Sequence, residues 1–155
     1  MVDTLSPSQR SRHMGLIRQA HTKPEVQLRK QLHRLGLRYR LHVSNLPGRP
    51  DIVLPKFRTV IFVHGCFWHR HRGCKKASSP STNIDFWQNK FAANVRRDAI
   101  KYKSLQEAGW TVLVVWECEL KTEFSAASRA FEIRELLVKQ SRPGAAERTP
   151  DELKL

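Results

Sequence analysis

The sequence predicts a single mixed α/β domain, in which an antiparallel meander of short strands is joined through a long helix to one parallel strand. The chain has 155 residues, a length that suits one domain. Three short β-type runs separated by turns lie between residues 37 and 63, and their close succession favours antiparallel pairing. A long amphipathic segment then leads into another apolar run, and this order favours a right-handed crossover between parallel strands.

The charge of the chain indicates the class of its partner. The formal net charge is +14 and the pI is about 10.5, so we expect a polyanion, with nucleic acid first and an anionic membrane surface second. No apolar run approaches the ~20 residues that span a bilayer. The N-terminal residues also lack the apolar core of a signal peptide, so we expect a cytoplasmic protein.

The first helix is expected to begin after Thr22. The segment from Thr22 to Glu25 matches the capping-box pattern, Pro24 suits the first turn, and Gly36 is placed to end the helix. Its apolar face consists of Leu28, Leu32 and Leu35. Glu25 therefore has two possible roles, either capping the helix at Thr22 or serving as an additional acid near a metal.

The strands of the meander follow. Residues 37–43 alternate between apolar and polar, as a half-buried strand does, and residues 52–54 and 59–63 form short apolar strands around a turn. Pro50 restricts the chain immediately before Asp51, at the start of the second strand.

The second half of the chain is predicted to contain two helices and a strand. A long helix covers about residues 84–107, a buried strand covers residues 110–116, and a further helix covers about residues 125–139. The apolar face of the long helix consists of Ile84, Trp87, Phe91, Val95, Tyr102 and Leu105. Periodicity alone therefore places Trp87 in the core.

Three regions make up the chain. Residues 1–21 are polar and basic and form either a loose arm or one that folds on DNA and presents Met14 or Ile17 to a groove. Residues 22–140 form the domain. Residues 141–155 contain Pro, Gly and mixed charge without periodicity, and we expect them to be a disordered tail.

The cysteines indicate a metal centre. An odd number of cysteines without a secretory signal argues against a disulfide framework. Parallel strands ending near residues 64 and 116 would bring Cys66 and Cys118 together, and Cys74 with one histidine would complete a tetrahedral Cys₃His zinc site. Spacing does not choose between His69 and His71. The alternative is that the thiols are small buried apolar groups.

Hydrolysis of a phosphodiester needs a metal, a base and relief of charge on the leaving oxygen. Asp51 suits Mg²⁺, and the carbonyl of Val63 on the neighbouring strand could supply a second oxygen. Any of His64, His69 and His71 that does not bind zinc can act as base or acid near neutral pH.

Two further groups could assist this centre. Asp98 either orients such a histidine or pairs with Arg97 or Lys101 on a solvated helix face. Phe67 and Trp68 lie in the polar loop, where aromatic rings could wedge between base pairs.

Five segments occur in an order that resembles one family. They are Pro47–Asp51, Val63–His69, Phe86–Trp87, Asn94–Asp98 and Gly109–Cys118. Together they resemble the very short patch repair (Vsr) DNA mismatch endonucleases, from about residue 11 to residue 120. The resemblance implies a restriction-endonuclease-like core, a mixed sheet flanked by helices, whose third strand lacks the usual acid-x-Lys element. It also implies a nick in double-stranded DNA, 5′ of the thymine of a T:G mismatch produced by deamination of 5-methylcytosine.

The resemblance also implies roles for individual residues. Asp51 and the Val63 carbonyl would bind Mg²⁺, although threonine is common in the family at the second position. His69 resembles the general base, His64 and Asp98 supporting groups, and Glu25 an outer acid. The structural zinc ligands would be Cys66, His71, Cys74 and Cys118, with one additional residue before the second cysteine. The expected DNA contacts are Met14, Ile17, Phe67, Trp68, Trp87 and Asn94.

We therefore expect a monomeric, Mg²⁺-dependent mismatch endonuclease with structural Zn²⁺. Its partners would be DNA with a T:G mismatch and, by resemblance, mismatch-repair proteins. A restriction-type endonuclease would need paired subunits, and the sequence has no obvious dimer seam. A non-catalytic, zinc-stabilised DNA-binding protein would leave Asp51, His64 and His69 without a role.

Overall fold

The computed structural model describes residues 20–141, together with residues 6, 8, 9 and 12. The predicted DNA contacts Met14 and Ile17 lie outside the described residues, as does the predicted tail beyond residue 141. The helices are α1 (Lys23–Arg34), α2 (Ile84–Glu107) and α3 (Glu123–Gln140). The strands are β1 (Arg40–Leu41), β2 (Ile52–Leu54), β3 (Thr59–His64) and β4 (Thr111–Trp116). Short 3₁₀ helices, Pro55–Phe57 and Glu117–Leu120, follow β2 and β4.

The sheet has the predicted mixed topology. Its strand order is β1-β2-β3-β4, with antiparallel pairs β1–β2 and β2–β3 and a parallel pair β3–β4 that α2 connects. The meander and the crossover are therefore confirmed. In the parallel pair His64 lies opposite Trp116, so the carboxyl ends of β3 and β4 lie side by side.

Helices cover both faces of this sheet. Successive β3 side chains point to opposite faces, so Ile61 joins one apolar cluster while Val60 and Phe62 join another. The first cluster packs α1 and α3 against the sheet and includes Leu28, Leu32, Ala130 and Ile133. In the second cluster Leu105 of α2 packs against the opposite face. Among the described residues, no helix combines the length and apolarity needed to cross a bilayer.

Three predictions about these elements were wrong in detail. The strand expected over residues 37–43 is reduced to Arg40–Leu41, because His42 adopts a positive φ of 47° that ends the strand. The strand expected to be buried, β4, is mostly half-buried because it forms an edge of the sheet. On α2, Ile84 and Val95 are 52% and 46% exposed, since they lie beyond the part of the helix that packs on the sheet.

Candidate active site and metal centre

A cleft of about 790 Å³ opens where β2, the end of β3, the first turn of α1 and the middle of α2 meet. All the catalytic and magnesium-binding residues predicted from the sequence line it, namely Glu25, Asp51, Val63, His64, His69 and Asp98. Its rim is basic and includes Arg49, Lys90, Arg97 and Lys101. A floor of carboxylates and imidazoles within a basic rim suits a phosphodiester, because the rim attracts the anion and the floor offers metal ligands and proton carriers.

Asp51 lies immediately before β2, and the pairing of β2 with β3 brings it to Val63. The backbone N–H of Val63 donates a 2.7 Å hydrogen bond to Oδ2 of Asp51. Burial raises the pKa of Asp51 to about 6; the Val63 hydrogen bond opposes this shift, and the Glu25 carboxylate adds to it. A buried carboxylate that is costly to ionise gains stability from a bound cation, so Asp51 fits a divalent metal.

His69 and Asp98 form a close hydrogen-bonded pair in the cleft. Nδ1 of His69 lies 2.5 Å from Oδ2 of Asp98, which leaves the second ring nitrogen of His69 for proton transfer. Burial alone would raise the pKa of Asp98, but the His69 hydrogen bond and neighbouring cations lower it, so Asp98 is a carboxylate at neutral pH. An aspartate that fixes one nitrogen of a histidine also stabilises the imidazolium formed when the other nitrogen accepts a proton.

His64 supports this pair from the end of β3. Its ring stacks on that of His69 at a centroid distance of 3.7 Å, and its Nε2 is hydrogen-bonded to the hydroxyl of Tyr102. Burial, followed by the neighbouring His69, lowers the pKa of His64 to about 4. His64 is therefore neutral at pH 7 and holds the ring of His69 in place.

Glu25 performs the capping role and also faces the cleft. Its Oε1 accepts hydrogen bonds from the backbone N–H of Thr22 at 3.3 Å and from the hydroxyl of Thr22 at 2.7 Å, and its Oε2 accepts a 2.9 Å bond from the backbone N–H of His21. The side chain is almost fully buried. The two roles that the sequence left open are therefore compatible in one residue.

A second group of ligating side chains lies beyond the ends of β3 and β4. The ligand atoms of Cys66, His71, Cys74 and Cys118 all lie within 4.8 Å of one another. Nδ1 of His71 is 3.5 Å from Sγ of Cys66 and 3.3 Å from Sγ of Cys118. Sulfur and nitrogen ligands of one tetrahedral zinc ion are about 3.5 Å apart, given Zn–S and Zn–N bonds of about 2.3 and 2.0–2.1 Å. The donor set and its spacing therefore fit zinc.

The structure brings His71, rather than His69, to the thiols. Burial raises the pKa of the Cys66 thiol to about 12, and burial also raises that of Cys118, whereas the backbone N–H of Lys76 lowers that of Cys74. With their raised pKa values, the thiols of Cys66 and Cys118 ionise readily only beside a cation. Cys66, Cys74 and Cys118 are free thiols in the structure.

Aromatic rings cluster between the loop and α2. Phe67 meets Trp68 and Trp87 at centroid distances of 5.0 and 5.5 Å. Trp87 is 7% exposed, which confirms the core position that periodicity predicted, while Phe67 and Trp68 are half-buried. Nδ2 of Asn94 donates a 3.0 Å hydrogen bond to the carbonyl of Trp68, and so fixes the loop to α2. Contact of these residues with DNA stays a prediction.

The chain is similar to proteins of one family. The family model described as DNA mismatch endonuclease Vsr matches residues 2–76. The chain is 44% identical to the DNA mismatch endonuclease Vsr of Escherichia coli over 121 residues, 78% of this chain and 77% of that protein. It is 49% identical to the Type II nicking enzyme V.XorIIP of Xanthomonas oryzae over 120 residues, 77% of this chain and 88% of that one. The chain belongs to the Vsr family of DNA mismatch endonucleases.

A solved structure supports the fold of this Vsr-family chain. The catalytic domain of the homing endonuclease I-Bth0305I superposes with a TM-score of 0.53, covering 78% of this chain and 99% of that one. Its sequence identity is 21%, so the likeness concerns the fold alone. It agrees with the mixed, restriction-endonuclease-like sheet expected from the sequence.

The Vsr-family cleft also contains residues that sequence reasoning missed. His42 lies between Glu25 and Asp51, and the strand-like alternation around it gave no sign of the positive φ that directs it there. Lys101 was considered only as a surface partner of Asp98, and its Nζ does lie 3.7 Å from Oδ1 of Asp98. Asp98 is nevertheless buried in the cleft, so the pair does not lie on a solvated face.

Gly48 admits Lys101 to this position. A Cβ at Gly48, whose φ is +73°, would lie 2.6 Å from Cδ of Lys101. Only glycine therefore allows the approach without displacing the lysine. The spacing between the two residues, more than fifty positions, hid this contact from the sequence.

Proposed function

We propose that this chain nicks double-stranded DNA on the 5′ side of the thymine in a T:G mismatch, as arises from deamination of 5-methylcytosine. The observation that carries the proposal is the His69–Asp98 pair, placed with Asp51 in one cleft of a Vsr-family endonuclease. The net charge of +14 and the basic rim of the cleft suit binding to the DNA backbone.

In the hydrolytic step, His69 accepts the proton of the attacking water through its second ring nitrogen. Asp98 keeps the ring oriented and stabilises the positive charge that His69 acquires. His64, neutral and stacked on His69, restricts the ring further. The role of Lys101 is to place positive charge beside the reacting phosphate, since its Nζ lies next to Asp98.

The residues that would hold Mg²⁺ are Asp51 and the main-chain carbonyl of Val63, with Glu25 as an outer acid. When bound, Mg²⁺ supplies polarisation of the phosphate and relief of charge on the leaving oxygen. Valine in place of the threonine common in the family is compatible with this role, because a main-chain oxygen does not depend on the side chain.

The four ligands Cys66, His71, Cys74 and Cys118 would hold a structural Zn²⁺. Cys66 and His71 flank His69 in sequence, so an ion bound there would fix the loop that carries the general base. The same loop carries Phe67 and Trp68, which we assign as the wedge entering the stack beside the mismatch, with Trp87 behind them and Asn94 holding the loop.

The remaining parts of the chain are assigned by the same proposal. Residues 1–21 act as an arm on the DNA, with Met14 inserted in the minor groove and Ile17 as a further groove contact. Residues 22–140 form the endonuclease domain, and residues 141–155 form a disordered tail. The enzyme acts as a monomer in the cytoplasm, and it works with mismatch-repair proteins.

A strand-resolved cleavage assay tests this function. The substrates are short duplexes with a T:G mismatch in varied contexts and matched T:A and C:G controls, each with Mg²⁺, with EDTA and with Asp51→Ala. We expect a Mg²⁺-dependent nick 5′ of the mismatched thymine that Asp51→Ala abolishes. Binding without cutting in every context would indicate a non-catalytic zinc protein. Cutting of both strands of matched duplexes would indicate a restriction endonuclease.

A further inference from the structure

A third group of metal-binding side chains lies at the end of the cleft nearest α1. Glu25, His42 and Asp51 each offer a ligand atom, and these atoms lie within 4.8 Å of one another. Nε2 of His42 is 3.7 Å from Oε2 of Glu25, and Nδ1 of His42 is 3.8 Å from Oδ1 of Asp51. The imidazole therefore stands between two carboxylates, at distances too long for hydrogen bonds to either.

The backbone at His42 is held in an unusual conformation. Its φ is 47°, in the left-handed region that non-glycine residues seldom adopt. The backbone N–H of His42 donates a long bond of 3.4 Å to the carbonyl of Asp51. The turn that ends β1 thus directs the His42 ring towards the cleft, where an extended strand would have continued.

The ring nitrogen facing Glu25 lacks a partner. Nε2 of His42 is buried and makes no hydrogen bond to any described residue, and the side chain is only 11% exposed. The ring of His21 approaches it edge-on at a centroid distance of 4.8 Å. Buried polar atoms are nearly always satisfied, so an unpartnered Nε2 beside the Glu25 carboxylate indicates a missing electrophile.

We propose that Glu25, His42 and Asp51 form a mixed nitrogen–oxygen site for a divalent first-row transition metal, with Mn²⁺ as the accessible representative. Bonds of about 2.1 Å allow ligand atoms of one ion to lie up to about 4.2 Å apart, so shifts of a few tenths of an ångström would close the site. Mg²⁺ prefers oxygen ligands, whereas an imidazole nitrogen raises the affinity for Mn²⁺ and the later metals.

The proposal rests on the proposed function only in assigning a cation to Asp51. His42 distinguishes this site from the magnesium site assigned above, because the magnesium site has oxygen ligands alone. Nitrogen ligation would make the site selective among metals, and it would let the enzyme work with a transition metal where Mg²⁺ is scarce.

Pulsed electron paramagnetic resonance of bound Mn²⁺ tests the site directly. The sample is the zinc-loaded protein without DNA, and the readout is the echo modulation that a coordinated ¹⁴N nucleus produces. The main variant is His42→Asn, because asparagine tolerates a positive φ and offers an oxygen; His42→Gln is the second variant. His69→Asn is the matched control, since it removes a nitrogen from the neighbouring group His64, His69 and Asp98.

We expect nitrogen modulation in the wild type and in His69→Asn, and its loss in both His42 variants. Titration should show Mn²⁺ binding about tenfold weaker in those variants, with Mg²⁺ binding changed less than about twofold. Modulation that survives in the His42 variants, disappears in His69→Asn, or is absent from the wild type would overturn the proposal. Mg²⁺-dependent nicking of T:G duplexes is a separate measurement, so failure of either proposal is recognised independently.

Discussion

The thiol cluster and the cleft share one loop and differ in almost every physical respect. The cluster gathers Cys66, His71, Cys74 and Cys118 around a point, with soft ligands spaced for a single ion. The cleft spreads hard oxygen and imidazole groups around about 790 Å³ of open space. A closed ligand set stabilises structure, whereas an open one leaves room for substrate and water.

The loop alternates between the two regions. His64 and His69 face the cleft, while Cys66 and His71 face the cluster. Backbone bonds hold the turns between them, from the N–H of His69 to the carbonyl of Gly65 at 3.2 Å, and from that of His71 to Cys66 at 3.0 Å. These bonds connect His69 in the cleft to the loop that carries the cluster, and we expect substitutions in the two regions to have different effects.

Removal of zinc should have the largest of the predicted effects, a fall in the melting temperature Tm. Structural zinc contributes apparent binding free energies of about 10–16 kcal/mol in zinc-finger peptides, and about 1 kcal/mol shifts Tm by roughly 2–8 °C. We therefore expect a zinc chelator to lower Tm by more than about 10 °C, measured by scanning calorimetry with zinc analysis. Omission of Mg²⁺ alone is the control and should leave Tm nearly unchanged. A metal-free protein with the Tm of the untreated one would refute a structural role.

Asp51→Asn should reduce the nicking rate and leave Tm unchanged. The amide has nearly the same shape but cannot supply the carboxylate that the cation requires, so we expect the nicking rate to fall by at least about 1,000-fold. Because burial raises the pKa of Asp51 to about 6, its ionised form is costly in the folded state, and Tm at pH 8 should not fall. Nicking that persists within about tenfold of wild type would remove Asp51 from the site.

The pH dependence of the nicking rate should separate the role of Asp51 in the cleft from that of the thiol cluster. With Asp51 at a pKa of about 6, the nicking rate should fall as the pH drops through about 6, because protonated Asp51 cannot bind the cation. Raising the Mg²⁺ concentration should move this midpoint to lower pH, since cation binding competes with the proton. A single-turnover pH profile at two Mg²⁺ concentrations measures the shift. A midpoint independent of Mg²⁺ would assign the transition to another group.

Substitution in the proposed aromatic wedge, Phe67 and Trp68, should have the smallest of the predicted effects, a loss of DNA affinity. Base–aromatic stacking is worth about 1–3 kcal/mol by alanine substitution, so Trp68→Ala should weaken binding to a T:G duplex by about 5- to 150-fold. Phe131→Ala is the control, because Phe131 is 53% exposed on α3, away from the cleft. Fluorescence anisotropy at fixed salt gives both affinities. Equal losses in the two variants, or none for Trp68→Ala, would contradict an inserted ring.

Much of the fold followed from the sequence because its signals are local. The cap at Thr22, the paired runs at residues 52–54 and 59–63, and the period of α2 each depend on neighbours within a few positions. The convergence of Cys66 and Cys118 also followed, since parallel strands joined by a crossover must end side by side.

The features that the sequence hid depend on contacts between distant segments. Nothing near His42 marks its left-handed backbone, because alternation predicts a strand whether or not the chain turns there. His69 and His71 occupy the same polar loop, and only packing against Asp98 and the thiols separates them. The family resemblance chose His71 as the zinc ligand, but spacing left the choice open.

The exposure of two apolar residues on α2 was also hidden, because it depends on how the helix packs against the distant sheet. Periodicity predicts which residues share a helix face, but it cannot say how much of that face meets the sheet. Ile84 and Val95 therefore share the apolar side of α2 and yet remain about half exposed.

The most direct test of two regions that share one loop compares His69→Ala with His71→Ala. Zinc per chain, Tm and the T:G nicking rate are measured on the same preparations. We predict that His69→Ala keeps its zinc and Tm while nicking falls by about 100-fold or more, as loss of a general base requires. His71→Ala should lose zinc and stability first. Loss of zinc in His69→Ala with retention in His71→Ala would reverse the assignment and contradict this account.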